Sequence, residues 1–162
     1  MTDSAHPGLD AEAVARRAAL IRAAAADPGD VLSPALLAWE LMKLGDRVAA
    51  RDEATRALER MRRARRWPPE ALTPATTVRA LLVLQDDDPR GALRTVNDAR
   101  ELGLDHPNLD LIEGTALKRL GGERNLEAAR AALQRNLDRR HVRVEAELMP
   151  GATSWASCTV LG

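Results

Sequence analysis

The stretch Ser33–Leu58, SPALLAWELMKLGDRVAARDEATRAL, decides how the rest of the chain is read. Leu37, Leu41 and Leu44 recur at four- and three-residue steps, the spacing that puts side chains on one face of a helix. Gly45-Asp46 breaks the pattern, since glycine takes turn geometry and aspartate caps a new helix. Val48 continues the apolar contact past the turn. Ala50, Ala54, Ala57 and Met61 then give a second helix a narrow face of small side chains. The stretch therefore predicts two helices folded back on each other.

Two later stretches repeat this grammar. In the second, Val78, Leu81 and Leu82 precede Ala92, Val96 and Ala99, which are spaced like Ala50, Ala54 and Ala57. In the third, Leu109, Ile112, Ala116 and Leu120 lead to Gly121-Gly122, then Leu126, Ala129, Leu133 and Leu137. Ser33-Pro34, Thr73-Pro74 and Asp88-Pro89 each pair a capping side chain with a proline at the first helical position, where no amide is needed. Upstream, a helix is expected from Asp10 to Ala26, with Asp10 as its cap and Val14, Ala18, Ile21 and Ala25 on its apolar face. Asp27-Pro28-Gly29-Asp30 stops it.

Composition supports close helix packing. Aromatic residues make up 2% of the 162, with no Phe or Tyr and three Trp. A core of Leu, Ala and Val lets helix axes approach. Lys+Arg and Asp+Glu are both 24, so the net charge is zero. That balance, with so few stacking rings, argues against a nucleic-acid partner. No apolar run approaches the roughly 18 residues of a membrane span and the N-terminus is polar, so a soluble cytoplasmic protein without membrane contact is expected.

With small residues at Ala38, Ala80 and Gly114 in mid first helix, and Ala50/Ala57 and Ala92/Ala99 in the second, the chain resembles tetratricopeptide (TPR) repeats. These are stacked antiparallel helix pairs of about 34 residues, close to the step from Ala80 to Gly114. In the third repeat Ala129 fits and Asn136 replaces the second small residue. The expected architecture is all-α, a TPR-like solenoid of about three repeats plus an N-terminal helix. Residues 1–9 are expected to be a disordered lead-in, 10–140 the repeat domain, and 141–162 a short tail, extended or a β-hairpin. The strand expectation comes from the alternation in HVRVEAEL, ended by Met149-Pro150-Gly151.

The resemblance implies a function. In TPR-like proteins the first helices of each pair line a concave groove that takes extended peptides or partner helices. The corresponding positions here are Ala35, Trp39, Met42 and Lys43, then Thr77, Leu81, Leu84 and Gln85, then Leu111, Thr115, Lys118 and Arg119. An apolar floor with basic residues at one end suits a partner with an apolar anchor and an acidic flank. The implied function is a protein- or peptide-binding adaptor or chaperone-like module. The N-terminal helix or the tail filling the groove is the alternative for the same positions. Chaperone-docking TPR domains grip a terminal carboxylate with Lys and Asn, which Ala35, Trp39, Thr77 and Leu81 do not supply.

Other features read as structure first. Arg60, Arg62, Arg63, Arg65 and Arg66 suit a helix C-terminus, or else an anionic partner surface or a phosphate backbone. His6, His106 and His141 sit singly, and Cys158 has no partner, so no metal site or cofactor is expected. His106-Pro107 marks the start of the third pair. Asp86-Asp87-Asp88 lacks the alternating ligands of a calcium loop and reads as an acidic helix start. Ser154, Ser157 and Cys158 have no activating His, and no catalytic constellation is present, so an enzyme is not expected. Two alternatives concern the tail. It makes the chain a structural or oligomerisation domain by self-association, or the core of a modified-peptide precursor, with Thr153, Ser154, Ser157 and Thr159 as dehydratable hydroxyls.

Overall fold

The computed structural model describes residues 7–148, with side chains for 12–140, and every regular element among them is an α-helix. The helices are α1 (Pro7–Ala26), α2 (Leu32–Lys43), α3 (Arg47–Ala64), α4 (Pro69–Gln85), α5 (Pro89–Glu101), α6 (Pro107–Leu120) and α7 (Glu123–Leu148). They form two compact units, α1–α5 before the boundary at Leu104 and α6–α7 after it.

In the first unit α2 packs on α3 and α4 on α5, as the paired grammar predicts. Neighbouring pairs meet through α3 on α4 and α2 on α4, and α1 lies on α2. The core joins Leu37, Ala38 and Leu41 of α2 to Ala50 and Ala54 of α3 and Val78 and Leu82 of α4. Ala38, Ala50, Ala54 and Ala57 are completely buried. Each would meet a backbone or a neighbouring side chain if enlarged, which is why the periodic alanines matter more than their small hydrophobic contribution.

The turns follow from their residues. After α2 the amide of Asp46 donates to the carbonyl of Leu41 at 3.0 Å, and that of Gly45 to Met42 at 3.1 Å. This double closure needs a left-handed residue, and Gly45 supplies it at φ +81°. The Asp46 carboxylate then accepts from the amide of Ala49 and starts α3. Asp86-Asp87-Asp88 divides the same work differently. Asp86 ends α4, Asp87 takes the left-handed position at φ 61°, and Asp88 caps α5 through the amide of Gly91. Only Asp88 is the acidic helix start expected for the trio.

Several expectations are corrected. The strand expected at 141–148 is helix, because α7 continues to Leu148. Extending an existing helix costs no new nucleation, whereas a lone strand has no ladder to join. Pro7, Gly8 and Leu9, expected in the lead-in, are already helical, so Asp10 lies inside α1 rather than capping it. On α1 the residues facing the core are Leu20 and Ala24. Val14 is 67% and Ile21 47% exposed. Alanines fall on every side of this helix, so its periodicity does not select a face.

Leu44 and Val48 are also exposed. Leu44 has already left the helical face as the C-cap, and the phase that turns Ala50 and Ala54 inward turns Val48 outward. Thr73-Pro74 does not begin α4. The helix begins at Pro69, burying Ala71, Leu72 and Ala75 and carrying Pro74 inside it. Ser33 does not cap α2 either, because the Asp30 carboxylate accepts from the amides of Leu32 and Ser33 at 2.9 and 3.1 Å.

In the second unit α6 packs along α7. Gly114 is the point of closest approach, since a Cβ there would lie 2.6 Å from Leu133 Cγ and 3.1 Å from the Ala129 carbonyl oxygen. The inner face of α7 is Ala129, Ala132 and Asn136, while Leu126 and Leu137, expected inside, are exposed. Asn136 explains its own departure from the small-residue pattern. Its side-chain amide donates to the carbonyl of Pro107 at 2.6 Å and ties α7 to the first turn of α6.

Candidate partner-binding face

Trp39 and Met42 on α2 are partly buried against the first unit's core, leaving part of each ring and chain outward. They are three residues apart and so share a stripe distinct from the Leu37–Leu41 face. On α4, Leu81 is half-buried and Gln85 exposed. Because α2 and α4 pack directly together, these positions belong to one pair of adjoining helices.

Not every residue expected on this face is accessible. Ala35 is wholly buried, Thr77 is 2% and Leu84 4% exposed. They belong to the underside of the face rather than its contact surface. The Thr77 hydroxyl is buried without a hydrogen-bond partner. Lys43 is exposed but not free, since its ammonium lies 2.7 Å from the carboxylate of Glu40. Arg16 of α1 approaches the same carboxylate at 3.9 Å.

The remaining predicted positions lie on α6 of the second unit. Leu111 is 37% exposed, and Thr115 is half-buried with its hydroxyl donating to the Leu111 carbonyl at 2.8 Å. Lys118 and Arg119 are exposed in the last turn, where positive charge offsets the helix dipole. His106 caps α6, its Nδ1 accepting from the Asn108 amide at 3.2 Å, which fixes that pair's beginning where expected.

The arginine run has an unforeseen division of labour. Arg60 reaches across to the end of α1 and donates to the carbonyls of Ala24, Asp27 and Asp30 at 3.1, 3.2 and 2.8 Å. It satisfies oxygens that a helix end leaves without partners. Arg65 takes the left-handed position that closes α3. Burial would raise the Asp30 carboxyl, but hydrogen bonds from the Ser33 hydroxyl and the Ser33 and Leu32 amides, together with the charge of Arg60, hold it below the ordinary carboxylate range.

Sequence reasoning also missed two charged clamps. Arg47 and Arg51 both bind Asp86, joining the start of α3 to the end of α4. Arg135 and Arg139 both address the buried Asp110, at 3.2 and 3.5 Å, and reach Glu113 and Asp105 as well. Each clamp has arginines four residues apart on one helix, a visible signal, but the acid they share lies 25 or more residues away in sequence. Among the described residues no three His, Cys, Asp or Glu side chains cluster as metal ligands. Among them no helix is long and apolar enough to cross a membrane. No protein family, curated protein or solved structure matches the chain.

Proposed function

We propose that the chain is a helical-repeat binding module of TPR-like type, an adaptor or chaperone-like protein holding a peptide or helix of a partner. The α2–α4 face carries the interaction. The partner places an apolar side chain against Trp39, Met42 and Leu81, and an acidic residue beside Lys43 in competition with Glu40. The observation that carries this reading is the partial burial of Trp39 and Met42 on a tightly packed core. Amphipathic side chains whose inner edge is fixed and outer edge is free lose little entropy when covered. Binding energy at such faces concentrates on a few aromatic and long apolar anchors, and tryptophan is the commonest of them.

A displayed library of random peptides tests this. The wild-type chain is expected to enrich sequences with an apolar anchor flanked by Asp or Glu. Trp39→Ala combined with Leu81→Ala is expected to lose the enrichment at least tenfold while keeping helicity. Enrichment of the same sequences by the variant, or of none by the wild type, would overturn the assignment.

A further inference from the structure

A small cavity of about 90 Å³ lies on the side of α4 away from Trp39 and Leu81, bounded by α3, α4 and α5. Thr76 and Arg79 line it; by the 3.6-residue repeat Arg79 stands roughly 140–160° round the helix from Thr77, Leu81 and Leu84, and Thr76 roughly 140° from Leu81. The cavity is therefore independent of the proposed peptide face. Its charged lining is Arg62 of α3, Arg79 of α4 and Asp98 of α5, with the Trp67 ring as a wall. This combination sits on apolar walls otherwise typical of the helix interfaces.

These three charged side chains form no ion pair with one another or with any described residue, although elsewhere the first unit pairs its arginines readily with Asp86 and Glu53. The polar lining also includes Thr76, which is 2% exposed, and Thr95. The charged inventory of the cavity is thus two cations and one anion, none of them paired within the described residues, beside the hydroxyls of Thr76 and Thr95.

The order of the groups along the cavity follows from the helix directions. Arg47 and Arg51, at the start of α3, bind Asp86 at the end of α4, so the two helices run antiparallel. Arg62, in the last turn of α3, therefore lies toward the beginning of α4, beside Leu72. Arg79 stands about 10 Å further along α4, at 1.5 Å per residue. Two long guanidinium side chains can close on a short dicarboxylate from its two ends. Asp98 on α5 would repel a plain dicarboxylate and attract one that carries an ammonium.

We propose that this cavity binds a free acidic amino acid, of the glutamate or aspartate class, with one carboxylate at Arg62, the other at Arg79 and the ammonium at Asp98. The match is one of charge: two negative groups and one positive complement two positive groups and one negative. Arginine suits such carboxylates because its planar fork donates two parallel hydrogen bonds. The Thr76 hydroxyl completes the site from its floor, and the Trp67 ring covers the ligand's methylenes.

Calorimetry on the full chain decides it, with L-glutamate and L-aspartate as probes and glutarate, L-alanine and inorganic phosphate as comparisons. Saturable binding of one acidic amino acid is expected, with every comparison compound at least tenfold weaker. Arg62→Ala and Arg79→Ala should each weaken binding tenfold or more. Asp98→Asn should invert the preference, so that glutarate binds as well as or better than glutamate. All three positions are exposed, so the variants are expected to melt like the wild type. In the unaltered chain the Trp67 indole N–H resonance should shift on titration, a readout that needs no variant. Absence of saturable binding to either amino acid, equal binding of glutarate or phosphate by the wild type, or arginine variants that bind as before would each overturn the proposal.

Discussion

The two units close their helix pairs by different chemistry. In the first, α2, α3 and α4 meet through leucine, valine and fully buried alanines, and charges stay at the rim, as with Arg47, Arg51 and Asp86. In the second, the α6–α7 interface has the buried acid Asp110, 2% exposed, held by Arg135 and Arg139 and flanked by the Asn136 bond to Pro107. A similar apolar grammar thus supports two kinds of specificity. Apolar contacts are tolerant of small shifts in register, whereas a buried carboxylate between two guanidiniums fixes which turn faces which.

The comparison breaks most visibly at Asp110. Replacing both Arg135 and Arg139 by alanine strips a buried carboxylate of its two guanidinium partners. The expected cost is about 3 kcal/mol, the lower end for such a loss because both arginines are themselves partly in water. Amide exchange in α6 and α7 should accelerate accordingly, by roughly two orders of magnitude, while α2–α4 amides keep their protection. Equal acceleration in both units would show that the clamp is not specific to the second.

Arg60 probes the first unit at its edge. Its three hydrogen bonds to Ala24, Asp27 and Asp30 carbonyls hold the end of α1. Arg60→Ala should cost about 1–2 kcal/mol, the range for charge-assisted bonds that water partly replaces. Because the apolar core lies elsewhere, the loss should appear as faster exchange in α1 alone. If α3 and α4 amides accelerate equally, α1 belongs to the same cooperative block as that core.

The helices, the Gly45-Asp46 turn and the Asp88-Pro89 start were legible in the sequence because they depend on residues a few positions apart. The small residues Ala38, Ala80 and Gly114 were legible too, since a periodic small side chain signals close approach whatever the partner. What escaped were choices made by distant residues. Leu44, Val48, Leu126 and Leu137 keep a helical period yet face water, because the neighbour decides which stripe is covered. The accessible part of the candidate face was partly legible. Trp39, Met42 and Leu81 remain partly exposed, while Ala35, Thr77 and Leu84 go under. The strand expected at 141–148 failed for a related reason. Alternation over eight residues is weaker than the cooperativity of a helix already under way.

The smallest expected effect, and the sharpest test of how rim charges differ from the Asp110 clamp, is the acid response at Asp30. Its carboxyl is held below the ordinary value of 3.8 by the Ser33 and Leu32 bonds and by Arg60, against the opposing effect of burial. A carboxyl whose folded value lies below its unfolded one adds stability that is complete above the unfolded value. That stability is lost as pH falls through the folded value. The wild-type chain should therefore lose this contribution between about pH 4 and the lower folded value. Asp30→Asn keeps an oxygen to accept the two amides but has no proton to take up, so its stability difference from the wild type should shrink across that window. Loss of the α2 start should be read from exchange at the Leu32 and Ser33 amides, whose acceptor is the Asp30 carboxylate itself. A difference between the two proteins that stays constant from pH 6 to below pH 3 would show that the Asp30 charge contributes nothing to the start of α2.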